Sequence, residues 1–373
     1  MKNVFLSISM MLATTVAFAQ ANESSVSQTG TSNGSTVLQA GSSNNSVVVQ
    51  DGAVGPLSGL SNISSVNQNG ADNEANVGQH GDSNEGYVMQ LGDRNDATID
   101  QGVGQAQTNY ATTSQDGDDN TSVQKQRFDN NDAFVTQIGN RNDASQDQSS
   151  GPNGSLGNLA TAYQNGDENT SIQKQNGSLN TAYAQQVGDE NYARQRQFGS
   201  GNTANSIQGQ NDQHSDQYQD GSGNFAQVWQ NDESNALGDG NKAYQTQMGD
   251  GNDAIIDQGT PSAVNPSANN KATQTQRGDD NYAYSMQNGN DNTSTQTQGS
   301  MSGDSDDNFA DHFQQGNNNT ATTSQSGIGS HDSYVDQIGN GNGSTTTQSG
   351  SFHISTVTQL GNSNMSTVTQ SNN

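Results

Sequence analysis

Residues 169–208 read NTSIQKQNGSL NTAYAQQVGDE NYARQRQFGSG NTANSIQ, three full copies and the opening of a fourth of one eleven-residue phrase. Each copy opens on Asn, places Ala or Ser two residues later, and reaches Gln at the seventh place (Gln175, Gln186, Gln197, Gln208). Counting the Asn as position 0, positions 0, 2, 4 and 6 share one face of an extended segment, because side chains alternate along a strand. That face carries Asn, a small residue, a variable residue and Gln. The other face carries the charges and most aromatics, among them Arg194 and Arg196 here and Tyr87 and Trp229 elsewhere. The linking four residues, x-Gly-x-x, form a tight arc in which Gly supplies the positive φ of a sharp reversal.

The phrase extends in both directions from this stretch. Segments ending in the repeat Gln number 29, from Asn22–Gln28 to Asn364–Gln370, with clear copies at Asn33–Gln39, Asn44–Gln50 and Asn95–Gln101. Gln213, His331 and His353 replace the leading Asn in three of them. Departures from the spacing of eleven fall between segments, near 51–61, 102–108, 149–157, 236–240, 259–269 and 299–307. These insertions hold all four prolines and read as solvated loops.

Position 4 sets the size of the structural unit. From the ninth segment, Gln124, Gln146, Gln173, Gln195, Gln217, Gln245, Gln274 and Gln296 occupy alternate segments. The intervening ones carry Val135, Ala162, Ala184, Ser206, Val228, Ile256, Ser285 and His312. The repeating rung is therefore two strands, about 22 residues. The fold class is all-β: a single β-solenoid domain over 22–373, strand–arc–strand, of about 14.5 rungs with an amyloid-like cross-β core. Odd strands stack on odd and even on even, at about 4.7–4.9 Å per rung. The amides of Asn33, Gln39, Asn95, Gln101, Asn364 and Gln370, and of the alternating Gln column, are expected to hydrogen-bond up and down as ladders.

Composition alone points elsewhere. Apolar residues make up 27% of the chain and the net charge is −27, a balance that ordinarily means disorder. The periodicity overrides it, since stacked identical amides satisfy one another. The first 21 residues, Lys2 followed by an apolar run from Val4 to Phe18 and small Ala19 and Ala21, read as a secretory signal peptide. The chain contains no cysteine, so no disulfide framework is available. Strong negative charge argues against nucleic acid and anionic membranes as partners.

No catalytic residues, cofactor or metal site are expected, and the protein does not read as an enzyme, since a uniform ladder offers no irregular pocket with convergent groups. Smaller patterns stay open. Outward Thr pairs near the C-terminus, such as Thr273/Thr275 and Thr295/Thr297, could form an ice-binding array. Outward Tyr87, Phe134, Tyr183, Tyr284 and Tyr334 could stack on glycan or bundle fibres. His331 and His353, one rung apart, could hold copper or zinc, and the acidic arcs could draw Ca²⁺ diffusely.

The motifs Ser27-Gln28-x-Gly30-x-x-Asn33-x-Ser35 and Gln137-x-Gly139-x-x-Asn142-x-Ala144 resemble the curlin repeat of bacterial curli fibres. The resemblance implies a structural subunit of an extracellular amyloid fibre that serves biofilm matrix and adhesion. It implies export across a Gram-negative outer membrane and self-association into a homopolymer. Curli secretion and nucleation factors, surfaces and matrix polysaccharide are the further partners it suggests. This chain has many more repeats than the well-known major subunits, and its first repeat opens at Asn22 without the spacer that engages their export channel. The outermost strands carry no cap. Asn22 and Gln28 at one end and Asn364 and Gln370 at the other are the expected assembly edges.

Overall fold

A computed structural model describes residues 21–52, 59–151, 155–230, 238–259, 267–299 and 306–372. The expected leader and the centres of five insertions (53–58, 152–154, 231–237, 260–266 and 300–305) lie outside the described residues. Twenty-nine strands, from β1 (Glu23–Gln28) to β29 (Met365–Ser371), follow one another in the described chain without a helix. They sort into two parallel sheets, one of the 15 odd strands and one of the 14 even strands, each in chain order. This is the two-strand rung that the position-4 alternation requires.

Register is kept from rung to rung. Between β13 (Thr170–Ser178) and β15 (Tyr192–Ser200), Gln173 faces Gln195 and Gln175 faces Gln197. An insertion does not disturb this: Gln217 faces Gln245 across the one near 236–240. The strands alternate buried and half-buried residues, as in β14 (Thr181–Val187), so positions 0, 2, 4 and 6 form a thin interior. A one-residue slip would turn the whole amide set outward.

The arcs set a steric condition of their own. A Cβ added at Gly177 would lie 1.8 Å from the carbonyl oxygen of Gly199 in the next rung, so these successive arcs nest through glycine. Two uninterrupted arcs among the described residues depart from this. Phe128 (φ 64°) and Gln210 (φ 67°) hold the glycine place in left-handed conformations that cost a side-chain-bearing residue about 1–2 kcal/mol.

One expectation is corrected. The insertion near 102–108 is not a loop between strands. It continues β7 (Asp96–Gln107), and the ladder to β5 (Glu74–Asp82) shifts register between Gln79↔Gln101 and Gly81↔Ala106. The extra residues are absorbed as a bulge because β5 supplies backbone partners on both sides of them.

The core changes character along the column. At position 4 both walls are branched and apolar at the N-terminal end, where Val37 packs against the cluster of Val48, Val66, Val77, Val88 and Ile99. In the central rungs a Gln wall faces an apolar one. Val335, Val357 and Val368 close the C-terminal end.

Candidate functional site: the inner ladders and the open ends

A parallel stack places the same amide above itself in every rung, so a side chain can both donate and accept along the axis. The position-6 glutamines use this without interruption. On the odd sheet each Nε2 donates to the Oε1 one rung on, from Gln28 to Gln50 (2.7 Å) and Gln50 to Gln79 (2.7 Å), through Gln79 to Gln101 (2.9 Å), to Gln348 and Gln370 (2.9 Å). Gln39 begins the matching even-sheet column by donating to Gln68 at 2.8 Å. The second N–H of these amides goes to backbone across the core, as when Gln101 donates to the carbonyls of Glu85 (2.8 Å) and Asn109 (3.1 Å).

Position 0 runs in the opposite sense. The Asn95 backbone N–H and Nδ2 both donate back to Oδ1 of Asn73, at 3.0 and 3.1 Å, while Nδ2 also reaches the Gly117 carbonyl at 2.7 Å. Asn33 accepts from the Asn62 N–H at 2.9 Å, and Asn364 donates to Asn342 at 3.0 Å.

The third column is the position-4 glutamines of the odd sheet. Gln124, Gln146, Gln173, Gln195, Gln217, Gln245, Gln274 and Gln296 are linked in series by Nε2-to-Oε1 bonds of 2.7–3.0 Å. A finite column must end, and each end leaves an amide group without a ladder partner. At the start, the Thr113 hydroxyl donates across the core to Gln124 Oε1 at 3.0 Å. At the finish, Gln296 Nε2 turns to the backbone carbonyls of Tyr284 (2.7 Å) and Ala310 (3.0 Å). Above it, fully buried His312 spans the core between Ser294 Oγ (2.9 Å) and Thr323 Oγ1 (2.7 Å). Burial lowers the His312 pKa from 6.5 to about 3.

The geometry has a counterpart among known families. The model of the curlin-associated repeat matches residues 70–102 and 339–371. Two stretches of the chain are thus similar to the curlin-associated repeat. No curated protein matches it. The matched stretches hold β-branched residues at position 4 (Val77, Val88 and Ile99; Thr346, Val357 and Val368), and the central repeats with a Gln wall lie outside them. The curlin repeat defines a structural family, and the ladders supply the physical reason: the position-0 Asn and the position-6 Gln amides are engaged in holding the next repeat.

The histidines that replace Asn illustrate this. The rings of His331 and His353 stack at 5.2 Å with planes 4° apart. Nδ1 of His331 accepts the His353 backbone N–H at 3.3 Å, and Nε2 faces the Ser326 carbonyl at 3.1 Å. Imidazole thus reproduces the Asn pattern, with Nδ1 standing for Oδ1 and Nε2–H for Nδ2–H. Both His331 nitrogens are occupied, which leaves this ring no lone pair for a metal. Among the described residues no group of three or more His, Cys, Asp or Glu is placed to hold an ion.

The outward faces carry patterns that column-by-column reading misses. Tyr110, at position 1, sits between position-3 rings of the rungs on either side, 5.6 Å from Tyr87 and 5.5 Å from Phe134. Phe309, also at position 1, lies 5.0 Å from Tyr282 at position 1 and 5.1 Å from Tyr334 at position 3. Tyr183 instead donates to Gln185 at 2.7 Å, and burial and nearby carboxylates push the Tyr284 hydroxyl up to about 12. In the arcs, Asp93 Oδ1 accepts the Ala71 N–H at 2.7 Å while the Asp93 N–H donates to Asp118 at 2.8 Å. These carboxylates are structural acceptors as well as charges. Outward threonines pair in register, Thr273 with Thr295, Thr295 with Thr322, Thr322 with Thr345 and Thr345 with Thr367.

The two ends differ from the rest of the column. Every residue of β1 is exposed, including inward Val26 at 46%. Inward residues of β29 are only half-buried. A hollow at that end is lined by Thr356, Val357, Gln359, Asn364, Met365 and Val368.

Proposed function

We propose that this chain is a structural subunit of an extracellular, curli-type amyloid fibre that grows by stacking one solenoid end on another. The observation that carries the reading is the pair of open ends. Among the described residues, Gln28 and Gln39 Oε1 at one end, and Gln370 Nε2 and Asn364 Oδ1 at the other, lack the ladder partners that their copies have inside, and Val26 lies exposed beside them. An uncapped strand edge with satisfied neighbours is a template for a further strand. Biofilm matrix and adhesion, a leader at 1–21, and curli secretion and nucleation factors as partners follow from the same reading.

The test is to dilute residues 22–373 from denaturant and follow thioflavin T fluorescence with electron microscopy. Seeded growth of unbranched fibres is expected. A soluble monomer that persists at high concentration would sink the proposal. A second reading, ice or glycan binding through the outward threonines, has in its favour the five-rung register of Thr273, Thr295, Thr322, Thr345 and Thr367. Thermal hysteresis and pull-down on matrix polysaccharide measure it directly.

A further inference from the structure

The described residues form an odd number of strands, 29, and this constrains how two copies can meet. The outermost described strands, β1 and β29, both belong to the 15-stranded sheet. In a two-strand rung each strand lies half a rung above the one before it in the other sheet. Suppose β1 of a second copy stacked on β29 in the same sheet. Its β2 (Gly34–Ser42) would then stand two rungs above β28 (Ile354–Leu360), and one strand would be missing from the even sheet. If the second copy is turned by 180° about the column axis, its β1 stacks on β28 and its β2 on β29. Both sheets then continue without a gap, strands still run parallel, and inward faces still point inward.

That half-turn exchanges the two walls, so it works only where the walls are alike. In the central rungs they differ: exchange would set Gln195 over a wall of Ala162 and Ala184. At the ends the difference disappears. Position 4 is Val26 in β1 and Val37 in β2, and Val357 in β28 and Val368 in β29. Position 2 is Ser in all four strands (Ser24, Ser35, Ser355, Ser366), and position 6 is Gln in all four (Gln28, Gln39, Gln359, Gln370). The joint therefore places Ser on Ser, Val on Val and Gln on Gln in both sheets. Ladder polarity agrees: Gln359 and Gln370 Nε2 face the open Oε1 atoms of Gln28 and Gln39.

We infer that successive subunits of the fibre are related by a half-turn about the fibre axis, with β1 of one copy seated on β28 of the copy below. The inference rests on the end-to-end reading above and adds the relation between neighbours. Two subunits then make one axial repeat, about 140 Å at about 4.8 Å per rung, and outward patches such as the threonine array alternate between opposite sides.

The natural absence of cysteine makes the test direct. Ser27 on β1, Thr358 on β28 and Thr369 on β29 all sit at outward position 5 and are exposed. Adjacent parallel strands bring such residues within the Cα separation that a disulfide tolerates. Fibres of the Ser27→Cys/Thr358→Cys variant, oxidised and run on a non-reducing gel, are expected to give a ladder of covalent multimers. Fibres of Ser27→Cys/Thr369→Cys are expected to stay monomeric. Cross-linking in the Thr369→Cys pair instead, in both pairs equally, or in neither when fibres are well formed would overturn the half-turn while leaving end-to-end assembly standing. If the unsubstituted chain forms no fibres, the assembly reading itself has failed, and the half-turn with it.

Discussion

His312 shows how little freedom a single inward residue has. Its ring is enclosed by Ser294 and Thr323 across the core and by Ser285 and Val335 in the adjacent rungs, none of which carries a charge to offset a buried imidazolium. The folded pKa (about 3) lies below the unfolded value of 6.5, so the unfolded chain takes up the proton first. The stabilisation is therefore complete above about pH 6.5 and is lost as pH falls towards 3. Between pH 7 and 5 the loss is about 2 kcal/mol. Hydrogen exchange of Phe309–Gln315 and its neighbours should accelerate over that range, and His312→Val should remove most of the dependence. Desolvation raises Asp96, Asp132 and Asp143 above 3.8; these groups gain stability on protonation, but nearer the carboxylate range. Gln210 offers the converse case. Relief of its left-handed backbone by Gln210→Gly is expected to raise stability by about 1 kcal/mol in thermal unfolding.

At the scale of the strand, identity matters less than parity. Removing residues 180–201, one complete rung, joins Gln173 to Gln217 on the odd wall and leaves every column intact. Removing 180–190, a single strand with its arc, sets Gln195 above Ala162 and breaks the Gln column at Gln173. The first deletion should unfold close to the parent, whereas the second should lose a few kcal/mol from unpaired buried amides; urea denaturation distinguishes them. This dependence is also why the fold was legible in the sequence. Positions 0, 4 and 6 are held by ladder partners one rung away, 22 to 29 residues along the chain, so the period survives insertions that scramble everything between. What was not legible lies across the columns. Thr113 ends the Gln column from the opposite sheet, Tyr110 joins Tyr87 to Phe134 on a diagonal, and the residues near 102–108 extend a strand because β5 can pair with them. Each depends on two strands being side by side, which spacing along one column does not express.

For the molecule as a whole, outward charge opposes what the interior favours. A net charge of −27 is carried on the faces and arcs, so each copy approaching a fibre end meets like charge. Exposed charges are screened over about 30 Å at 0.01 M salt and about 8 Å at 0.15 M. The lag before fibre growth should therefore shorten several-fold across that interval, as thioflavin T kinetics would register. Stability of the folded column should change far less, because its ladders are buried.

The direction of the glutamine amides has a kinetic corollary. Every position-6 Nε2 points towards the C-terminal rung, so a fibre built from such columns has two chemically different tips. The Asn column runs the other way, so each tip offers one kind of amide as donor and the other as acceptor; an incoming chain must nucleate its first rung on one tip or complete its last rung on the other, and these are different events. Elongation should be faster at one tip, and two-colour imaging of seeded fibres would show segments of unequal length flanking each seed.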